Sequence, residues 1–107
     1  MKRVEPDIKQ KKIELLAVAF FYILKNDQKL NYREFANNSD MEYSHFQKIM
    51  AGKNNPLFTT LLSLIETLNI PFSNFAKVYD ELDETTILEY REYVKEQKTK
   101  RGKKNIE

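Results

Sequence analysis

Glycine and proline are so scarce in this chain that helices joined by short turns are the economical way to fold it. Across 107 residues there are two glycines and three prolines, and apolar residues recur at three- and four-residue intervals between them. Sustained two-residue alternation bounded by turn signals is missing, so strands have little support. The expected fold class is therefore all-α. The length suits one domain with a continuous core, and no internal repeat is visible.

Six helical stretches follow from the spacing. The first opens at Pro6-Asp7, where proline suits the first turn and aspartate the positive end of the dipole. It carries Ile8, Ile13, Leu16, Ala17, Phe20, Phe21, Ile23 and Leu24 and ends in Asn26-Asp27-Gln28. Its wide apolar surface marks it as the centre of the core. Asn31 reads as an N-cap with Glu34 three residues later, opening a short helix from Tyr32 to about Asn38. The cluster Asn37-Asn38-Ser39-Asp40 is a turn, and Asp40 tolerates a left-handed backbone better than most residues. A third helix spans about Glu42–Met50, with Phe46, Ile49 and Met50 for the interior and Gly52 to end it. A fourth spans Phe58–Leu68 on Leu61, Leu62, Leu64, Ile65 and Leu68. A fifth spans about Ser73–Tyr79, capped by Ser73 and burying Phe72, Phe75, Ala76 and Val78. The last runs from Asp83 or Glu84 to about Lys98 with Ile87, Tyr90 and Val94 on one stripe and Leu88 and Tyr93 beside it. The remainder, 99–107, has nothing to bury and is expected to be a disordered basic tail.

Composition removes several function classes. Cysteine is absent, which excludes disulfides, thiolate catalysis and Cys-based zinc sites. His45 is the only histidine and makes a poor metal ligand alone, so no metal site is expected; a partly exposed surface role suits it better. No carboxylate stands near a nucleophile or a phosphate-cradling glycine loop, so neither enzymatic activity nor a cofactor is expected. The charged N-terminus and the short apolar run Leu15–Leu24 give neither an export signal nor a membrane span, and a cytoplasmic protein is the default. The formal charge of +2 conceals a segregation. Residues 1–29 carry seven basic and four acidic side chains, 30–56 three of each, 57–94 two basic against seven acidic, and 95–107 six basic against two acidic. Basic ends and an acidic flank can orient such a molecule on a polyanion, although lysine-rich termini also serve solubility alone.

The segment Leu30–Pro56, LNYREFANNSDMEYSHFQKIMAGKNNP, resembles the helix-turn-helix of the lambda-repressor/Cro-like, or XRE, family. Two short helices meeting across a turn need core residues at fixed offsets and a small residue where their backbones approach. Phe35, Ala36, Met41, Phe46 and Ile49 occupy those positions, and the match continues through Gly52-Lys53-Asn54-Asn55-Pro56 and FTTLLSLIETLNIPFSNF, covering about residues 12–80. Three departures stand out. Asp40 replaces the turn glycine, Met50 replaces a late glutamate that braces the following loop, and Tyr32 replaces a glutamine that contacts phosphate.

The resemblance implies a five-helix domain over 7–82, with its motif at about 31–52; the additional C-terminal helix at 83–98 lies beyond the family core. It implies double-stranded DNA as partner and a third helix lying in the major groove. By position, Tyr43, Ser44 and Lys48 would contact bases, with Gln47 and Glu42 as further candidates; each type has a matching base edge. Tyr32, Arg33, Lys53, Asn54 and Asn55 would contact the backbone, although Asn54-Asn55 is equally good turn chemistry. The stripe on the last helix must be covered, by folding back or by a second copy in a homodimer. The expected function is a sequence-specific transcriptional regulator. The competing expectation is a protein-interaction module, or an antitoxin-type binder of a toxin or other protein, that keeps the fold without specific DNA binding; Asp40 and Glu42 beside the reading helix favour it.

Overall fold

A computed structural model describes the backbone of residues 5–27 and 31–106 and the side chains of residues 8–26 and 31–98. Among the described residues there are six helices and no strand: α1 Glu5–Asp27, α2 Tyr32–Asn38, α3 Tyr43–Met50, α4 Phe58–Leu68, α5 Phe72–Asp80 and α6 Glu84–Ile106. The all-α expectation holds. No helix of the described residues is long and apolar enough to cross a membrane.

The core is built around α1, which packs against α3, α5 and α6. Five consecutive residues, Ala17–Phe21, are buried, so in its middle this helix has no solvent face, as befits one apolar all round. Val18 and Ala19 are buried though they lie off the stripe that periodicity picks out, because neighbours cover α1 from several sides. Ile8 is the opposite case: it sits beyond the packed part of α1 and is half exposed. Phe20 meets Phe75 of α5 with ring centroids 4.7 Å apart, and Phe21 meets Tyr90 and Tyr93 of α6 at 5.7 and 5.3 Å. Leu61, Leu64, Ile65 and Leu68 of α4 complete the interior, while Leu62 is only partly buried.

Several boundaries differ from the sequence reading. Helix α5 starts one residue early, with Pro71 at its N-cap and no side-chain cap, so Ser73 lies inside the helix. Phe72 is 47% exposed and meets Phe58 edge-on at 6.2 Å instead of entering the core. Helix α6 opens with the Asp83 carboxylate accepting from the Thr86 amide at 2.9 Å, and that bond holds the Asp83 pKa below its usual value. It continues past Lys98 to Ile106. The segment expected to be disordered is thus helical up to that point, consistent with the helix propensity of its lysines and arginine and with cations at the negative end of the dipole. Gln28, the expected terminator of α1, and Leu30, Lys29 and Glu107 lie outside the described residues.

The stripe on α6 is covered by α1 within the same chain. Tyr90 is 2% exposed, and Ile87, Tyr93 and Val94 pack against the core. Arg91 makes a two-pronged bond to the Glu14 carboxylate, both contacts 2.9 Å, and Lys25 pairs with Glu89 at 3.5 Å. A homodimer through the C-terminal helices, the other way of covering that stripe, is not needed for it, and Leu88 is a large apolar residue left exposed on α6.

Candidate nucleic-acid interface

Helices α2 and α3 form a pair joined by Ser39–Glu42, and each closes on the same backbone device. At the end of α2 the Asp40 amide donates to the Asn37 carbonyl at 3.0 Å and the Met41 amide to the Ala36 carbonyl at 3.0 Å. Asp40 takes φ 60°, the left-handed residue of a Schellman motif. At the end of α3 the Gly52 amide reaches the Ile49 carbonyl and the Lys53 amide the Lys48 carbonyl, both at 3.0 Å, with Gly52 at φ 73°. Asn31 caps α2 by accepting from the Glu34 amide at 3.0 Å, as its spacing suggests. The Ser39 hydroxyl lies 3.0 Å from both the Phe35 carbonyl and the Thr67 hydroxyl, tying this turn to α4.

The surface of α3 divides into three strips. Phe46, Ile49 and Met50 enter the core. Ser44 and Lys48, one turn apart, are exposed with His45 beside them. Tyr43 and Gln47 are half-buried and turn toward α6, where they line a cavity of about 260 Å³ together with residues of α2, the Gly52 loop and α6. Glu42 is exposed at the N-cap of α3 and makes no capping bond. Arg33 is exposed, its guanidinium 4.1 Å from the centre of the Tyr43 ring. Lys53 and Asn55 are exposed and Asn54 is half-buried. None of Arg33, Lys48, Lys53 and Lys98 is engaged in the ion pairs formed among the described residues.

Tyr32 departs from its expected role. Its ring packs edge-on against Phe46 at 5.5 Å and Tyr93 at 5.9 Å, and its hydroxyl is buried with no hydrogen-bond partner. Burial, and then the neighbouring phenol of Tyr93, push its pKa far above the usual tyrosine value; that phenol stands close without meeting the geometry of a hydrogen bond. A buried hydroxyl is not placed to donate to a phosphate, so the expected backbone contact is corrected to a packing role. The cause is the aromatic wall that α6 adds.

Two functional contributions escaped sequence reasoning, both from helices outside the motif. The Tyr90 hydroxyl of α6 donates to the Met50 carbonyl at 2.7 Å, and the Gln10 amide of α1 donates to the Gly52 carbonyl at 2.8 Å. The first satisfies a carbonyl that the end of α3 leaves open. Together they brace the loop after α3, for which Met50 offers no polar side chain. The available signal was Tyr90 itself, a buried-stripe tyrosine whose hydroxyl requires a partner. Burial also raises the Tyr90 pKa well above its usual value, with the Glu14 charge adding to the effect.

No family model matches the chain, and no curated protein or solved structure does either.

Proposed function

We propose that the chain is a lambda-repressor-like, sequence-specific DNA-binding regulator that reads the major groove with α3. The observation that carries this reading is the arrangement of α3: its apolar strip is anchored in the core while Ser44 and Lys48 stand open on the outer face. Rigid placement of a short helix with polar side chains outward is what base readout requires. Arg33, Lys53 and Asn55 flank that face as exposed donors suited to phosphate oxygens. Tyr43 and Gln47 sit at its edge, and Glu42 at its start offers an acceptor for cytosine N4.

Selection from a random duplex pool tests the reading directly. One enriched motif is the expected outcome. Lys48→Ala should then weaken binding to that motif by about 1–3 kcal/mol and relax preference at one base pair. Equal binding to all sequences by both proteins would count against it.

A partner-binding module remains the second reading, and one observation favours it. Leu57, Phe58 and Phe72 are 73%, 61% and 47% exposed at the start of α4 and α5, a cluster of apolar surface of the kind that marks contact sites. Failure to enrich any DNA motif would bring this reading forward.

A further inference from the structure

We propose that the cavity between α3 and α6 is a binding site for a small aromatic carboxylate, and that filling it weakens the hold on DNA. The first half stands on the cavity alone; the second rests on the DNA-binding reading above.

The walls select a flat apolar body. Rings of Tyr32, Tyr43 and Tyr93 line the cavity with Met50 and Val94, and small-molecule pockets are of this kind, apolar with a few converging polar groups. The volume of about 260 Å³ is at the small end of such pockets, enough for one or two rings.

Charge selects an anion. Arg33, Lys53 and Lys98 all line the same cavity, and no aspartate or glutamate does. A cationic ligand would face three uncompensated positive groups, and a neutral one would leave them unused. A bare phosphate would meet those cations but leave the aromatic wall uncovered. A carboxylate carried on a ring satisfies both.

The Tyr32 hydroxyl is buried and closed to a ligand, so this tyrosine offers its ring alone.

Coupling to DNA follows from shared residues. Arg33 and Lys53 are the donors proposed for phosphate, and Tyr43 and Gln47 lie at the edge of the reading face. A ligand that engages the first two and adds a negative charge beside the groove competes with the polyanion. By linkage, DNA weakens the ligand by the same factor.

The test begins with the full chain and no DNA. Amide NMR titrations would use benzoate, salicylate and indole-3-acetate, with benzamide as the neutral control and benzylamine as the cationic one. Shifts centred on Tyr43, Gln47, Tyr93 and Gln97 are expected with the carboxylates, and benzamide should bind at least about tenfold more weakly, since bonds to charged groups are the stronger ones. Lys98→Gln, at an exposed position of the lining, should weaken benzoate binding several-fold without disturbing the fold. No shifts with any carboxylate, shifts centred elsewhere, or benzamide equal to benzoate would overturn the site. Affinity for the enriched duplex is then measured with saturating benzoate, where a loss of about fivefold or more is expected. An unchanged affinity overturns the coupling. Should no duplex be enriched, the DNA reading fails while the titration still decides the site.

Discussion

The two turns that frame α3 are built alike and held differently. Asp40 before α3 and Gly52 after it are both left-handed, with φ 60° and 73°, and both close a helix through the same pair of backbone bonds. The Asp40 end is exposed and local: its bonds come from within α2, and its link to the rest is Ser39 against Thr67. The Gly52 end is buried, and distant helices clamp it, Tyr90 of α6 on the Met50 carbonyl and Gln10 of α1 on the Gly52 carbonyl. One backbone conformation can therefore be a local turn that many sequences satisfy, or a junction that only one residue fits.

Replacing the glycine should break the second end most severely. A Cβ at Gly52 would sit 3.2 Å from the Tyr90 hydroxyl and 3.6 Å from the Glu14 Cα, in a conformation that L-residues adopt at a cost of about 1–2 kcal/mol. With the crowding added, Gly52→Ala should lose about 2–3 kcal/mol in chemical denaturation. A loss no larger than that of an ordinary exposed substitution would show that the junction is not tight.

Alkaline pH tests the same end without mutation. Tyr90, like Tyr32 and Tyr93, has its pKa raised by burial above the usual value near 10. Once the pH passes that value the unfolded chain releases phenolic protons while the folded chain keeps them, so stability is full below pH 10 and falls as pH rises beyond it. Tyr32 and Tyr90, the more deeply buried, each contribute a slope of at most about 1.4 kcal/mol per pH unit, and the more exposed Tyr93 adds less. Tyr90→Phe should remove one tyrosine's share of that slope. At neutral pH the same variant should cost about 1–2 kcal/mol, because it strands the Met50 carbonyl. An undiminished slope in the variant would mean that other groups carry the alkaline loss.

The contrast also explains what was legible in the chain. The Asp40 end was readable because its determinants are neighbours in sequence: an Asn-Asn-Ser-Asp run, a cap at Asn31 and core residues at fixed offsets. The bounds of α2 and α4 were readable for the same reason. The brace at Gly52 was not, since it joins residues some forty positions apart, and spacing within one helix says nothing about a bond between two. Tyr32 failed likewise: its position within the motif suggested phosphate, and the wall that buries it comes from Tyr93 on α6. The face formed by Ser44 and Lys48 needed only the period of one helix. The cavity beside it needed the fold.

The smallest effect belongs to the exposed end and has the opposite sign. Asp40 holds a left-handed backbone that glycine adopts freely, so Asp40→Gly relieves strain in the folded state. Glycine also enlarges the conformational freedom of the unfolded chain, which offsets part of the gain. The balance should favour the variant by about 0.5 kcal/mol, a rise of a few degrees in Tm for a domain of this size. On the DNA-binding reading proposed above, removing this carboxylate should also strengthen binding to any duplex, by about the same small amount on every sequence, since repulsion of phosphate carries no base information. A destabilised Asp40→Gly protein would mean that the aspartate side chain supports the turn in its own right. The two ends of α3 would then differ in chemistry as well as in burial.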